Sequence, residues 1–395
     1  MPKGFFSTSE IAQSATKQSR IPKCGLCGRK NKKSMALPDV RGKGKEGIMI
    51  VSPVPSNRQM NAKYPLADGS GMLIKSMLQA NHISPKQDCW FLDAVHCGGK
   101  KITKDHIISC RPKVIKAITE RKPRLLILLG EISVKSVLPW VWKDTLLHMS
   151  RWFGYQIPCQ EPNMWICPTY HPFDFLDLKN ADQYRLQMKK HFHAALQLKD
   201  HPWKKHPHFE QRVQLIWSSS VACKKIKDII DTGDPFAFDY ETNCLKPEYP
   251  ESEIVSCSIC RKGGETFAFM WDTEVAAMMK CLLQTPNAKI AANLKFEDRW
   301  TRNKLGVAVR NWVWDTMIAA HILDSRKLVT SLKFQSFAQL GQAPYDDHIE
   351  PLLRSSQGYY NRIREIEPKE LLIYNGMDSL LEWKLANKQK RFMEG

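Results

Sequence analysis

Asp239-Tyr240-Glu241 closes an apolar run, Phe236-Ala237-Phe238, that reads as a strand. Residues two apart in an extended chain point to the same side, so the two carboxylates share one face. Two same-face acids at a strand end repel one another unless a cation neutralises them. Two further acidic positions follow. One is Glu297 or Asp298, just after the run Lys289 to Asn293; the other is Asp378, four residues past Tyr374 and so one helical turn away on the same face. Hard oxygen ligands from separate elements suit two Mg²⁺ or Mn²⁺ ions. Such ions activate water and stabilise a leaving oxygen in phosphodiester hydrolysis, with Tyr374 placed to orient the attacking water.

A second candidate centre is built from sulfur. Cys24-Gly25-Leu26-Cys27 is a knuckle whose thiolates can reach one centre, and Cys97 and Cys110 follow it. Four thiolates can hold tetrahedral Zn²⁺ or an iron–sulfur cluster, and spacing alone leaves both open. Cys257 and Cys260 repeat the Cys-x-x-Cys spacing inside a predicted strand, without a second pair, and read as inert thiols. Nothing marks the chain as secreted, so its 12 cysteines are not a disulfide framework.

The elements that must carry these residues differ between the two halves. Before residue 199, strand-like runs at 48–51, 90–95, 125–129 and 164–167 alternate with helical stretches at 72–80, 114–120 and 133–138. That alternation predicts an α/β domain with a parallel sheet covered by helices. Residues 199–210, with two prolines and three histidines, read as a linker, and the histidines as solvated. Beyond it, strands at 235–240, 254–260 and 266–270 come in sequence, then a helix at 273–283, a short strand at 289–292, and helices around 297–305, 316–324 and 370–389. This order predicts a mixed sheet of the ribonuclease-H kind. The boundaries expected are a tail at 1–20, a first domain at 21–198, the linker, and a second domain at 211–395.

Charge separates the halves again. The 395 residues hold 59 Lys+Arg against 40 Asp+Glu, a surplus of 19. Residues 1–205 hold 34 and 15, which is the whole surplus, and residues 206–395 hold 25 of each. A basic half joined to a neutral one predicts a polyanion partner, most simply nucleic acid, gripped by the first half. Lys43, Lys45, Arg58, Lys63, Lys100, Lys101, Lys104, Arg111 and Lys113 flank the expected strand-end loops and are the expected phosphate contacts. No apolar run approaches the ~20 residues of a membrane span, so no membrane partner is expected. The expected location is the cytoplasm of a bacterial or phage-infected cell.

Four motifs in the second half carry a resemblance. Phe238-Asp239-Tyr240-Glu241-Thr242, Asn293 to Trp300, Trp314-Asp315-Thr316-Met317 and Tyr374-Asn375-Gly376-Met377-Asp378 follow in that order. Over about residues 210–395 the chain resembles the 3′–5′ proofreading exonuclease domain of family-A DNA polymerases, in its DEDD form with tyrosine, as in phage-like members. The resemblance implies catalytic roles for Asp239, Glu241, Tyr374 and Asp378, two Mg²⁺ or Mn²⁺ ions, and single-stranded or frayed 3′ ends of DNA as substrate. It leaves the second acid as Glu297 or Asp298, with Glu297 preferred. Palm, fingers and thumb would follow in such a polymerase, whereas this sequence ends at Gly395. The expectation is therefore trimming without polymerisation, in partnership with a polymerase portion downstream or separately encoded.

The first half resembles the uracil-DNA glycosylase superfamily, in its members with a 4Fe–4S cluster, over about residues 20–195. The motifs are Ile50-Val51 before a loop, Pro65 to Leu73, Trp90 to Cys97, Leu126 to Gly130 and Pro168-Thr169-Tyr170-His171-Pro172. The resemblance implies that Cys24, Cys27, Cys97 and Cys110 hold the cluster, with zinc the less favoured occupant. It also exposes an altered pocket. Ser52 begins the stretch that replaces the family's water-activating motif, Leu66 stands where an aromatic would stack on a flipped base, and Asp93 stands where an asparagine would read its edge. His171 remains. Because a flipped base needs stacking and edge hydrogen bonds, this half is expected to hold DNA without excising bases. Two rival expectations are a non-catalytic accessory part of a polymerase and a glycosylase acting on uracil or a modified base.

Overall fold

The computed structural model describes Cys27 and residues 40–99, 101–142, 149–160, 163–201, 208–355 and 358–394. The chain divides into two compact units, Met1–Lys205 with Gly341–Ala343, and His206–Leu340 with Pro344–Gly395. Each is an α/β body with its own sheet.

The first unit is built on β1 (Ile48–Ser52), β2 (Cys89–Asp93), β3 (Leu125–Leu129), β4 (Ile157–Cys159) and β5 (Met164–Thr169), in the order β2-β1-β3-β5-β4. All neighbours run parallel except the edge pair β4–β5. The central strand β3, Leu-Leu-Ile-Leu-Leu, is buried along its whole length, as a strand covered on both faces must be. Helices α1 (Gly69–Ala80), α2 (Lys104–Arg121), α3 (Gly130–Val137) and α4 (Ala181–Gln197) supply the cover. The expected helix at 114–120 is thus only the end of α2, which runs through Pro112. Proline removes one intrahelical bond and displaces the carbonyl four residues before it. That carbonyl belongs to the exposed Ile108, where water can reach it. Helix α4 was not expected from the sequence. It seats Met188, Phe192, Ala195 and Leu196 in the core at helical spacing while its other face stays polar.

The second unit has β6 (Val213–Ile216), β7 (Phe236–Thr242), β8 (Ile254–Arg261), β9 (Glu265–Met270), β10 (Lys289–Ala291) and β11 (Trp312–Asp315), in the order β11-β10-β7-β8-β9-β6. β7, β8 and β9 are antiparallel, and β10 and β11 continue parallel to β7. This is the mixed ribonuclease-H order anticipated above, with β6 added parallel beyond β9. The edge strands β6 and β11 and the helix α5 (Ser219–Thr232) are additions to the expected elements.

One face of this sheet is covered by α5 and by α6 (Thr273–Leu283), whose Ile226, Ile229, Val275 and Met279 pack with Phe238, Tyr240, Cys257 and Phe269. The other face is covered by the long helix α10 (Pro368–Glu394), through Tyr374, Met377, Leu380, Leu381 and Ala386. Between these lie α7 (Lys295–Leu305), α8 (Thr316–Leu323) and α9 (Leu332–Leu340). Cys257 and Cys260, three apart on β8, join cores on opposite faces, so they cannot converge on one ion.

Candidate active site

The alternation of β7 sets the first two acids. Tyr240 and Thr242 are buried, while Asp239 and Glu241 lie half-exposed on the face that α10 covers. Helix α10 presents Tyr374 and the buried Asp378 from one face. Ligand oxygens of Asp239, Glu241 and Asp378 all lie within 4.8 Å of one another. Two elements, β7 near one end of the unit's sequence and α10 at the other, thereby make one acidic pocket.

Asn375 locks strand to helix. Its amide donates to the Asp239 carboxylate at 2.7 Å and to the Asp239 carbonyl at 3.2 Å. Its own oxygen accepts from Ser256 Oγ at 3.1 Å, and its carbonyl accepts from Ser258 Oγ at 2.7 Å. On the other side of Asp378, the Tyr345 hydroxyl donates to its carboxylate. Lys333 of α9 pairs with Asp346 and lies over the Tyr374 ring, 5.3 Å from the centroid. Burial works against the Lys333 charge, but Asp378, Asp346 and Glu241 hold the ammonium above the ordinary lysine range. None of Lys333, Tyr345 and Asp346 was expected from the sequence, since no spacing links them to Asp378.

Helix periodicity separates the two candidates for the second acid. Glu297 shares the buried face of α7 with Trp300, Thr301 and Leu305. Asp298 is rotated away from it, accepting from Val309 N at 3.1 Å and pairing with Arg302. The turn that delivers Glu297 is itself pinned. Asn293 adopts a left-handed φ of 64°, and Asp315 accepts from the backbone N–H groups of Asn293 and Leu294 at 3.1 and 3.0 Å. One residue earlier, Ala292 N–H donates to Glu382 at 3.0 Å. Glu382 is fully buried on α10, one turn beyond Asp378, and was not expected from the sequence.

The electrostatics of the pocket are those of crowded, mutually repelling acids. Burial, then the neighbouring Asp378, pushes Asp239 well above the usual carboxylate range, and burial with Asp239 and Asp378 does the same to Glu241. Asp378 is pushed up to about 6 by burial, with Lys333 and the Tyr345 hydroxyl pulling back. Glu297 and Glu382 are also driven well up, first by burial and then by Asp239. Each keeps a buried Oε2 without a hydrogen-bond partner. Clustered oxygens, mutual repulsion and two orphaned buried acceptors fit hard divalent cations. Burial, followed by Asp378, raises Tyr374 far above the ordinary phenol range, so its hydroxyl stays a donor.

The first unit brings its altered pocket together differently. Ser52, half-buried at the end of β1, lies in register with Asp93 at the end of β2. The buried Asp93 carboxylate is paired with the Arg41 guanidinium. Burial raises Asp93 to about 6 even with Arg41 opposing. Leu66 is in the core with Ile48, Ile74 and Phe175, not on an open pocket wall. His171 accepts from Phe173 N–H through Nδ1 at 3.3 Å, capping its own turn, and burial lowers it to about 4. Asp68, whose carboxylate takes Ser56 Oγ at 2.6 Å and Gly71 N at 2.8 Å, is the charge that opposes this lowering.

Of the sulfur set, Cys24 lies outside the described residues. Cys110 is buried on α2 against Val95, two residues before the half-buried Cys97, and Cys27 is half-buried. Among the expected phosphate contacts Lys43, Lys45, Arg58, Lys63, Lys101 and Lys104 are exposed, Lys113 is half-buried, and Lys100 lies outside the described residues. Arg111 is half-buried and engaged within the fold. Its guanidinium donates to the carbonyls of Ser136 and Lys135 at 3.0 and 2.8 Å, tying α2 to α3, and burial lowers its pKa. Charge counting treats every cation alike and cannot tell a structural guanidinium from a solvent-facing one.

Comparison with known proteins follows the same division. Residues 41–197 match the family model of the uracil DNA glycosylase superfamily, and residues 216–388 match that of a 3′-5′ exonuclease. The type-4 uracil-DNA glycosylase of Pyrobaculum aerophilum is 26% identical over 156 residues, covering 38% of this chain and 79% of its own. Among solved structures, the catalytic core of RRP6 from Trypanosoma brucei shares 15% identity over 46% of this chain and 47% of its own, with a TM-score of 0.36. Brucella melitensis NrnC with bound Mg²⁺ shares 16% over 46% and 81%, with a TM-score of 0.34. Escherichia coli RNase D shares 13% over 46% and 45%, with a TM-score of 0.33. The chain spans about half the length of the RRP6 core and of RNase D. Two matches thus divide the chain, the uracil DNA glycosylase superfamily in the first unit and a 3′-5′ exonuclease in the second.

Proposed function

We propose that the protein is a metal-dependent 3′-5′ exodeoxyribonuclease of the proofreading type, joined to a basic DNA-holding domain that no longer excises bases. The observation that carries this reading is the convergence of Asp239, Glu241 and Asp378 within 4.8 Å. Asp239, Glu241, Glu297 and Asp378 would hold two Mg²⁺ or Mn²⁺ ions. Bound there, the ions would supply activated water and charge stabilisation for the departing oxygen. The chain's own part is positioning. Asn375 orients Asp239, Tyr345 orients Asp378, and Tyr374 keeps a protonated hydroxyl to hold the attacking water. Asp298, engaged with Arg302 and Val309, takes no part.

In this reading residues 21–198 form the glycosylase-like domain, 199–210 the linker and 211–395 the exonuclease domain. The first domain's pocket is spent on its own structure: Arg41 occupies Asp93, and Leu66 belongs to the core. Exposed lysines such as Lys43, Lys45 and Lys104 would contact phosphates without reading sequence. Cys24, Cys27, Cys97 and Cys110 would hold a 4Fe–4S cluster that pins the loops around β2 and α2. The packing of Cys110 against Val95 supports this set. Iron and sulfide analysis with an absorption spectrum of anaerobically purified protein separates the cluster from zinc. The substrate would be single-stranded or frayed 3′ ends, and the partner a family-A polymerase portion in the same cytoplasm.

The test is a 5′-labelled single-stranded DNA incubated with Mg²⁺ or Mn²⁺, beside an RNA of the same sequence. A ladder shortening from the 3′ end of DNA is expected. Asp239→Ala and Asp378→Ala should each abolish it while leaving DNA binding intact. Intact DNA ends in the presence of a verified protein–DNA complex would overturn the reading, and faster trimming of RNA would replace its substrate.

A further inference from the structure

The segment that follows β7 carries an aromatic cluster close to the acidic pocket. Glu241 lies on β7, and the carbonyl of the next residue, Thr242, accepts from the Asn361 side chain at 2.9 Å. Asn361 N–H donates to the Asn243 carbonyl at 2.8 Å, and Cys244 pairs with Tyr360 in an antiparallel bridge. Three residues from Glu241 to Cys244 span at most about 11 Å, and bridged partners lie about 5 Å apart, so Tyr360 stands within about 16 Å of Glu241. At roughly 3.4 Å per nucleotide, that is no more than about five nucleotides of a strand whose end lies in the pocket.

Three tyrosines are ordered outward here. Tyr360 and Tyr249 pack against the core of the unit, and the Tyr360 hydroxyl accepts from Glu251 N–H at 3.3 Å. Tyr249 meets Tyr360 edge to face, with centroids 6.3 Å apart at 66°. Tyr359 lies against Tyr249 at 4.3 Å and 34°, yet stays 64% exposed. A ring that exposed, with one ring beneath it, presents its other face to solvent. The exposed Lys246 places its ammonium 5.9 Å from the Tyr249 centroid. The flanking acids are already taken: Arg299 holds Glu248 and Arg364 holds Glu253, each through two hydrogen bonds at 2.8 and 2.7 Å. A braced ring with an open face, a nearby cation and neutralised acids is the chemistry that holds an unstacked nucleobase, whatever its identity, because every base has a π face. Resting on the exonuclease reading, we propose that Tyr359, seated on Tyr249 and Tyr360, is a stacking platform for a base of single-stranded nucleic acid a few nucleotides upstream of the 3′ end being cleaved. A duplex keeps its bases stacked on one another and cannot use it.

The test begins with photo-crosslinking of the full chain, in chelator, to a twelve-nucleotide DNA strand that carries a single 5-iodouracil. The label is moved one position at a time from the 3′ end, and the crosslinked residue is identified by mass spectrometry. Tyr359 should be crosslinked from one or two adjacent positions within about five nucleotides of that end. In Mg²⁺ or Mn²⁺, Tyr359→Ala should raise KM for the twelve-nucleotide strand about tenfold, as the loss of one stacked base would. It should raise KM far less for a dinucleotide, which is too short to reach the ring. Tyr359→Trp should restore the wild-type KM. An abasic residue at the crosslinking position should cost wild type the same factor and cost Tyr359→Ala nothing further. Crosslinks confined to other residues, or an equal change in KM for both lengths, overturn the platform. A wild type that trims neither substrate overturns the exonuclease reading, and the presence or absence of the Tyr359 crosslink then decides the platform separately.

Discussion

The side-chain amide of Asn375 donates to the carboxylate of Asp239 at 2.7 Å across 136 residues of chain. The same helix repeats the device at intervals of seven. Glu382 accepts from Ala292 just past β10, and Gln389 donates to the Thr316 carbonyl just past β11 at 2.9 Å while accepting from Trp314 Nε1 at 3.0 Å. Two helical turns separate successive contacts, and the three strands β7, β10 and β11 are successive neighbours in the sheet. One helix therefore registers the three strand ends that carry or deliver the acids.

Asn375→Ala should break the first of these ties. It leaves the Ser256 hydroxyl without its acceptor and Asp239 without its donor, both beside α10. The expected loss of stability is about 1–3 kcal/mol, the usual cost of an unsatisfied buried group. Denaturant unfolding of the chelated protein measures it. Asn375→Asp, which adds a further carboxylate to the pocket, should be less stable than Asn375→Ala in chelator and should recover part of the difference in Mn²⁺. The opposite order would show that the amide does not face Asp239.

Gly376→Ala tests the seat of the same helix. A Cβ at this position would lie 2.2 Å from Val213 Cγ1 and 3.0 Å from Cγ2, so β6 or the helix must shift. Overpacking of this kind costs about 1–3 kcal/mol. Val213→Ala removes both offending methyls, so the double variant should be more stable than the sum of the single effects predicts. Additive losses would mean that Gly376 is needed for some other reason.

Much of the pocket was legible because its parts are local patterns. Asp239 and Glu241 are two apart on a strand, and Tyr374 and Asp378 are four apart on a helix, so periodicity alone puts each pair on one face. The same rule extended by one turn reaches Glu382, a signal that the sequence carried. The motif kept both Glu297 and Asp298 while preferring Glu297, and the helical spacing of Glu297 with the buried Trp300, Thr301 and Leu305 of α7 supports that preference. Lys333, Tyr345 and Asn375 act through contacts between distant segments, which no spacing announces. The hydrophobic pattern likewise gave the buried strands but not β6 and β11, which are four residues each and only half-buried at most positions. The Arg41–Asp93 pair joins residues 52 apart, and the direction of Asp93 into a guanidinium was invisible beforehand.

His171 gives the first unit a pH signature. Burial lowers it to about 4, so the folded state holds the neutral ring while the unfolded chain protonates near its ordinary value of 6.5. Below that value the unfolded state binds the extra proton, and stability is lost as pH falls from 6.5 to about 4. The full loss is on the order of 3 kcal/mol from the size of the shift. His171→Asn keeps an acceptor for Phe173 N–H and cannot titrate. Wild type should lose melting temperature relative to this variant on acidification from pH 7 to pH 4.5, and parallel profiles would refute a buried neutral ring.

The acidic pocket should show the opposite slope in the absence of metal. Asp378 sits at about 6 when folded, against an ordinary aspartate near 3.8, so the folded state binds more protons between these values. Stability of the chelated protein is then highest below pH 3.8 as far as this group is concerned, and is lost as pH rises through about 6. The contribution is about 3 kcal/mol. Divalent cations reverse the sign, since they bind the ionised carboxylates of the folded state and stabilise it by mass action. The rise in melting temperature on replacing chelator with Mn²⁺ should therefore grow from pH 5 to pH 8. Asp378→Asn should flatten the chelated profile in this range and shrink the Mn²⁺ increment at pH 8. A Mn²⁺ increment that is independent of pH would mean that the ion binds somewhere other than these buried acids.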